Sequence, residues 1–358
     1  MKQLTIRSTQ RNYPIVMESG LRFQLKRRLG NDYSSILIIT DEHIADYYLE
    51  DVISSLQDNA VYTSVVSSGE ASKNIDEYYK LQSKAIESGL DRKSLIIALG
   101  GGVIGDLGGF VAATFMRGID YVQMPTTILA HDSSVGGKVA INHASGKNLI
   151  GCFYPPAAVL YDTETLATLP YQEVRSGYAE ILKEGLIADA ALAEELLPLS
   201  LQHISSEQLE NHLEAGIQVK ADIVEADERE AGVRKYLNFG HTLGHALEAT
   251  LGYGQVTHGE AVANGMLFAL HVSENVYTQQ LPFNELYHWM TRNAYPVIDI
   301  EEAHIDKLIK SMKSDKKSVS GHIQMVLLHQ VGEPTVENLD DSSVEAYIKT
   351  YIERMNKQ

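Results

Sequence analysis

Three features of the 358-residue chain predict an α/β N-terminal half built on a largely parallel sheet, followed by a mainly α-helical C-terminal half. Short β-branched runs alternate with helical patterns as far as Pro125. A glycine cluster, LGGGVIGD over 99–106, lies where a strand hands over to a helix. Beyond about Pro170 strand signals nearly vanish and long helical patterns take over.

Taken in order, the opening MKQLTIRSTQRNYPIV alternates like a strand. Residues 35–40 (SILIIT) form a short apolar run, read as a buried strand, and 41–56 have helical spacing. Residues 61–66 give a second strand, 74–88 an amphipathic helix ended by Gly89, and 94–99 a third strand that runs into the glycines. Residues 105–114 read as a helix of small residues packed closely on a neighbour, and 121–124 as a fourth strand stopped by Pro125. This rhythm implies parallel strands with right-handed crossovers, a Rossmann-like sheet. Helices are then predicted over 171–187, 206–226, 236–251, 259–277 and 301–313, with one late strand or hairpin at 321–328. The expected domains are 1–170 and 171–358.

Composition narrows the function. A hydrophobic content of 44% and a charged content of 22% are ordinary for a globular enzyme. A net charge of −17 argues against nucleic acid, which needs a basic footprint, and against an anionic membrane. An anionic small substrate would need a local cluster of Lys and Arg. The single cysteine, Cys152, permits no internal disulfide and suits a reducing compartment. Its apolar setting, IGCF, reads as a buried packing thiol rather than a nucleophile. The N-terminus lacks a signal-peptide core, and the apolar stretch 95–115 is glycine-rich and broken by Asp106, so it is not a membrane span. A cytoplasmic location is expected.

Gly100, Gly102 and Gly105 match G-x-G-x-x-G, a spacing that lets backbone N–H groups approach a pyrophosphate at a helix N-terminus. The pattern alone is weak, and it follows the third predicted strand rather than the first; Asp120 is a poor candidate for the acidic partner. The next block, 124–148, is dense in Thr, Ser, Asp, Lys, Asn and Gly and suits a loop lining a polar cleft at a sheet's carboxyl edge. Lys138, Lys147 and Asn148 are its candidates for a phosphate or carboxylate. Glu180 lies on a predicted helix among apolar neighbours and wants a partner, either a metal or Lys183 at i+3. Later cations, Lys220, Arg234, Lys235, Lys313, Lys316 and Lys317, could supply an anion site as a set.

The segment KYLNFGHTLGHALEATLGYGQVTHGE, 235–260, places His241, His245 and His258 within eighteen residues. His241 and His245 are four apart in a helical pattern and so share a face. His258 follows a glycine-rich turn and opens a second helix. A lone histidine is more often a core or capping residue; three at this spacing favour a divalent metal such as zinc. The spacing does not decide between His241 and His245 as ligand.

GGGVIGDLGGF, PTTILAHDSSVGGK, GKNLIG, SGYAEILK, RKYLNFGHTLGHALE and HGEAV follow in an order that resembles the 3-dehydroquinate synthase family, and the likeness covers nearly the full length. The resemblance implies an NAD-binding α/β domain and a metal- and substrate-binding helical domain, with the active site between them. It implies a zinc or cobalt ion on Glu180, His241 and His258, with His245 left to substrate. NAD contacts would come from Asp41, Glu70, Lys73, Gly101, Gly102, Val103, Asp106, Thr126, Thr127, Leu129, Lys147, Thr168 and Leu169. Substrate would meet Asp132, Lys138, Asn148, Lys183, Lys220, Arg234, Asn238, His245 and Lys316, and Arg117 would reach into a neighbouring subunit's site, implying a homodimer. The implied reaction is a redox-neutral cycle on 3-deoxy-D-arabino-heptulosonate 7-phosphate, with NAD used catalytically. Two rivals share this architecture: another NAD-dependent sugar-phosphate cyclase, and a metal-dependent polyol dehydrogenase, against which the many cations argue. A non-catalytic NAD- or zinc-binding module is the third, and the complete ligand set argues against it.

Overall fold

The computed structural model describes residues 1–30, 32–57, 59–252, 254–314 and 322–358. It divides into two units, Met1–Leu169 and Pro170–Gln358. The first contains strands β1 (Lys2–Ile6), β2 (Tyr13–Glu18), β3 (Ile36–Asp41), β4 (Val61–Val66), β5 (Leu95–Gly100), β6 (Asp120–Pro125), β7 (Lys138–His143), β8 (Gly146–Phe153) and β9 (Ala158–Asp162). Seven of them form one sheet in the order β1-β2-β9-β6-β5-β3-β4. Only the β1–β2 pair is antiparallel; the N-terminal alternation is thus two strands rather than one.

Every residue of β5 is buried, and alternate side chains feed two cores. Leu37, Ile39, Ile96 and Ala98 pack on one face beneath helices α1 (Ile75–Glu87) and α2 (Gly102–Thr114). Ile36, Ile38, Leu95, Ile97 and Leu99 pack on the other, against Tyr48, Val52 and Leu56. The small residues of α2 permit this packing: a Cβ on Gly109 would lie 2.4 Å from Val139 Cγ1. Asn74 caps α1, its side chain accepting from the amides of Asp76 and Glu77.

The polar block 124–148 is not one loop. It holds a short helix, Ala130–Ser133, and then β7, which pairs with β8 as a separate antiparallel hairpin. Cys152 sits on β8 and is exposed, against expectation. The hairpin packs on α2 through the inward side of β7 (Val139, Ile141), whereas β8 is exposed from Asn148 to Phe153. Apolar neighbours in sequence therefore made a surface, not a core. Asp120 is taken by Arg11 at 2.5 Å and by Tyr33 Oη at 3.1 Å, a structural role.

The second unit contains α3 (Tyr171–Ala188), α4 (Ser206–Ala226), α5 (His241–Leu251), α6 (His258–Tyr277), α7 (Phe283–Arg292), α8 (Ile305–Ser314) and α9 (Asp341–Met355). A hairpin of β10 (Ile323–Gln330) and β11 (Glu333–Leu339) completes it. Central α6 is buried continuously from Gly259 to Ser273, and it packs on α3, α5, α7, α9 and β10. Residues 233–238 form a 3₁₀ turn, so α5 starts at His241 rather than at 236.

His271 lies in this core, 5% exposed, between the rings of Phe283 and Tyr351. Its Nε2 pairs with Thr350 Oγ1 at 2.9 Å. Burial, reinforced by the charge of Arg354, pushes its pKa down from 6.5 to about 4. The unfolded chain therefore takes up this proton first as pH falls, so folding stability present above the unfolded pKa is lost between 6.5 and about 4. The loss is roughly 3 kcal/mol. Urea midpoints measured at about pH 7 and about pH 4 should fall less steeply in His271→Gln than in the parent protein.

Candidate active site

Glu180 projects from the middle of α3 with 1% exposure, and a buried carboxylate needs compensating partners. Lys183, one turn on and equally buried, meets Oε2 at 2.5 Å. Oε1 is buried and makes no hydrogen bond. His241 Nε2 and His258 Nε2 each stand 3.5 Å from it. The three donor atoms lie within 4.8 Å of one another, the spacing of a metal-sized gap. An acceptor-only oxygen left unsatisfied and faced by two imidazole nitrogens fits a divalent cation, the partner that completes all three. The ion-pair reading of Glu180 is realised through Oε2, and Oε1 remains placed where a metal could take it.

Each donor comes from a different helix, and the helices meet more closely than ordinary side chains allow. A Cβ on Gly259 would lie 1.9 Å from the Ser176 carbonyl oxygen, and Gly259 N donates to Ser176 Oγ at 3.1 Å. A Cβ on Gly265 would lie 1.8 Å from the Gly240 carbonyl oxygen. Those contacts press α6 onto α3 and onto the start of α5. Thr257 and Glu260 form a capping box at the N-terminus of α6, and Arg175 of α3 reaches over to Glu260. His245, on the same face of α5 as His241, completes a three-ring group, 5.2 Å from His241 and 5.9 Å from His258 between ring centroids.

The three candidate ligands are held in different protonation states. Burial would raise Glu180, but Lys183, His241 and His258 outweigh it and hold the carboxyl well below the usual range. Burial pushes His241 well below its ordinary value despite Glu180, so its ring is neutral and ready to coordinate. Burial opposes protonation of His258 too, but the carboxylates of Glu180 and Glu248, which face its two ring nitrogens, push it up to about 10. A cation arriving there exchanges for a proton.

Nearby, Lys220 on α4 and Arg234 in the 3₁₀ turn are buried, and α4 and that turn both pack on α3. Arg234 Nη1 donates to the Glu228 carbonyl at 2.5 Å, and Asn238 Nδ2 to Glu230 Oε1 at 3.1 Å. Lys316 lies outside the described residues.

In the N-terminal unit the sheet order reverses between β3 and β5, the switch point where α/β sheets open a crevice at their carboxyl ends. The residues singled out for NAD gather along that edge. Asp41 ends β3, Glu70 and Lys73 follow β4, Gly101 to Asp106 follow β5, Thr126, Thr127 and Leu129 follow β6, and Thr168 and Leu169 follow β9. Gly101, the N-cap of α2, offers no side-chain cap, leaving that helix's first amides for a phosphate. Thr126 Oγ1 is buried without a hydrogen-bond partner among the described residues. These two features fit a dinucleotide. Lys73 Nζ pairs with Asp106 and with Asn148 Oδ1, at 2.6 Å for the latter, while Asn142 bonds Glu70 at 2.7 Å. Lys147 and Asn148 stand on β8, Lys138 is exposed at the start of β7, and Asp132 lies in the short helix before it. Arg117, exposed beyond the C-terminus of α2, is not brought to this edge; roughly 20 Å of helix separates it from Gly101. Asp41 and Thr168 already have partners: Asp41 caps residues 43 and 44, and Thr168 Oγ1 meets Tyr48 Oη at 2.6 Å.

Sequence reasoning missed Glu248, Arg175, Ser176 and Glu260. Glu248 was findable, since 241, 245 and 248 line one face of α5.

The class defined by this fold and site is that of the sugar-phosphate cyclases. The chain superposes on 2-deoxy-scyllo-inosose synthase complexed with carbaglucose-6-phosphate, NAD+ and Co2+ with a TM-score of 0.88 and 26% identity, covering 98% of this chain and 100% of that one. It shares its fold with ValA, a 2-epi-5-epi-valiolone synthase from Streptomyces hygroscopicus subsp. jinggangensis with NAD+ and Zn2+ bound (TM-score 0.86, 24% identity, 97% and 99% covered). Family models of the N-terminal and C-terminal parts of 3-dehydroquinate synthase match residues 63–176 and 177–318. The 3-dehydroquinate synthase of Oceanobacillus iheyensis is 58% identical over 358 residues, 100% of each chain. This chain belongs to the 3-dehydroquinate synthase family.

Gly259→Ala tests the helix contact. Helix propensity alone favours alanine by about 1 kcal/mol, but the added methyl meets backbone that cannot step aside. A net destabilisation of roughly 1–3 kcal/mol is expected. Urea unfolding of the metal-free protein reads it, and a zinc titration of the same variant should show weaker binding.

Proposed function

We propose that this chain converts 3-deoxy-D-arabino-heptulosonate 7-phosphate to 3-dehydroquinate and phosphate, and that Glu180, His241 and His258 hold a zinc or cobalt ion for it. The observation that carries the metal reading is the buried, unsatisfied Oε1 of Glu180 facing two imidazole nitrogens. The bound ion would supply Lewis acidity toward substrate hydroxyl and carbonyl oxygens. NAD, held along the carboxyl edge of the sheet, would supply a hydride acceptor that is regenerated within each turnover.

Around the oxidation and re-reduction that NAD would supply, the chain's own groups would bind, orient and move protons. Oxidising one ring alcohol to a ketone acidifies the adjacent C–H, which allows phosphate to leave. Reduction of the ketone, ring opening and an intramolecular aldol closure then give the carbocycle. His245, beside His241 and His258, is the proposed proton relay to the reacting alcohol. Lys183, Lys220 and Arg234 are the proposed anion-binding set of the helical unit, buried where a charge acts through a lower dielectric than at the surface. Asn238 is a further proposed contact of that unit, as are Asp132, Lys138 and Asn148 of the N-terminal one.

A homodimer and a cytoplasmic location are also proposed. Met116, Leu149, Ile150 and Phe153 are exposed beside Arg117 and along β8, an apolar surface suited to a second copy. No described helix is long and apolar enough to cross a membrane.

Phosphate release is the test, with zinc-loaded protein, the heptulosonate phosphate and trace NAD. Many phosphates per NAD without accumulation of NADH would support the redox-neutral cyclase. Stoichiometric NADH would point to a dehydrogenase, and no phosphate from protein carrying zinc and NAD would overturn the assignment. Glu180→Gln should abolish turnover together with zinc binding, read by metal analysis after dialysis.

A further inference from the structure

His258 has a second nitrogen, and its partner is a residue so far without a role. His258 Nδ1 lies 3.3 Å from Glu248 Oε2. Glu248 is 6% exposed and sits on α5, one turn beyond His245 and two beyond His241. A carboxylate only accepts, so the proton of this contact is on Nδ1. Nε2, on the opposite edge of the ring, is then the nitrogen presented to Glu180 Oε1 at 3.5 Å.

We propose that Glu248 is a positioning residue that fixes the ring orientation and tautomer of His258, so that Nε2 is delivered to the metal. The proposal rests on the reading of Glu180, His241 and His258 as ligands. His258 is the first residue of α6, its side chain is 31% exposed, and among the described residues the hydrogen bond seen to its ring is the one to Glu248. Without Glu248 the ring can turn about its own axis and present the wrong nitrogen. His241 is held differently, its Nδ1 facing the Phe239 carbonyl oxygen at 3.2 Å. Two imidazoles thus face an acceptor through Nδ1 while Nε2 faces one carboxylate oxygen, the arrangement in which an outer partner sets a ligand's tautomer and raises its basicity. The same residue also belongs to a second group of close donor atoms, His245, Glu248 and His258, which makes a metal site on the far side of His258 the competing use of Glu248.

Zinc affinity, measured by competition with a chromophoric chelator on the full-length protein, separates these uses. Glu248→Ala is expected to weaken zinc binding about 10- to 100-fold. Glu248→Gln keeps an acceptor for Nδ1 and should recover part of the loss. In a His258→Ala background Glu248→Ala should cost nothing further, because its effect passes through that ring. The visible spectrum of the cobalt-loaded protein should change in Glu248→Ala, a readout that loss of general stability would not move. An affinity within two-fold of the parent, or an equal loss with and without His258, overturns the proposal. So does a second zinc per parent chain that vanishes in Glu248→Ala, which would make Glu248 a ligand. If Glu180→Gln leaves parent affinity unchanged, the metal reading itself fails, an outcome distinct from all of these.

Discussion

The helical unit depends on one constraint: α6 must touch α3 and α5 backbone to backbone. Helices separated by ordinary side chains run 8–10 Å apart; here α6 comes closer to α3 and to the start of α5 than a methyl group would allow. Gly259 against Ser176 and Gly265 against Gly240 remove the intervening side chains. Glu180, His241 and His258 then close to within metal-binding reach without any loop having to carry them. The capping box at Thr257 and the Arg175–Glu260 pair lock the end of α6 that bears His258. Rigid elements thus fix the geometry before any metal arrives, and this placement is more reproducible than loops provide.

The same closeness creates an electrostatic problem that the site turns to use. An ionised carboxylate with 1% exposure is tolerable only among cations. Lys183 takes one oxygen of Glu180 and leaves the other facing the imidazoles. Its charge helps to keep the carboxylate ionised and, with burial, to keep His241 neutral, which are the states a metal ligand needs. The N-terminal unit solves its problem by topology instead. Parallel strands all deliver their following loops to one edge, so residues far apart in sequence, from Asp41 to Leu169, line up without any of them being buried in a helix bundle.

Much of this was legible in the sequence, because the signals are local. The alternation of strands and helices, the strand–glycine–helix junction and the three histidines depend on spacing within twenty or so residues, and the structure brings Glu180, His241, His245 and His258 close together. What escaped depends on partners. The β7–β8 hairpin is polar and glycine-rich and looked like a loop, since a two-stranded hairpin packed on one helix needs little apolar sequence. Cys152 looked buried because its neighbours are apolar, yet burial depends on what packs against a strand, and β8 is exposed from Asn148 to Phe153. The helices Phe283–Arg292 and Asp341–Met355 went unread although the first has a strongly apolar face. Glu248 escaped for the opposite reason: its position on the histidine face was plain, but its partner, His258 Nδ1, comes from another helix and meets it only in the folded chain.

An acidic protein acting on an anion appears contradictory until distance is considered. The net charge of −17 repels an anionic sugar phosphate at long range, but salt screens exposed charges beyond about 8 Å at physiological ionic strength. Within that range the local groups decide, and in the helical unit they include Lys183, Lys220 and Arg234, all below 7% exposed. A buried cation is expensive unless something negative satisfies it. Lys183 and Arg234 have acceptors already, Glu180 and the Glu228 carbonyl. If these groups meet the substrate as proposed, a carboxylate and a phosphate would add acceptors to a region whose donors already surrendered their solvation in folding. A neutral polyol offers no such compensation, and this favours a sugar-phosphate cyclase over a polyol dehydrogenase on the same fold.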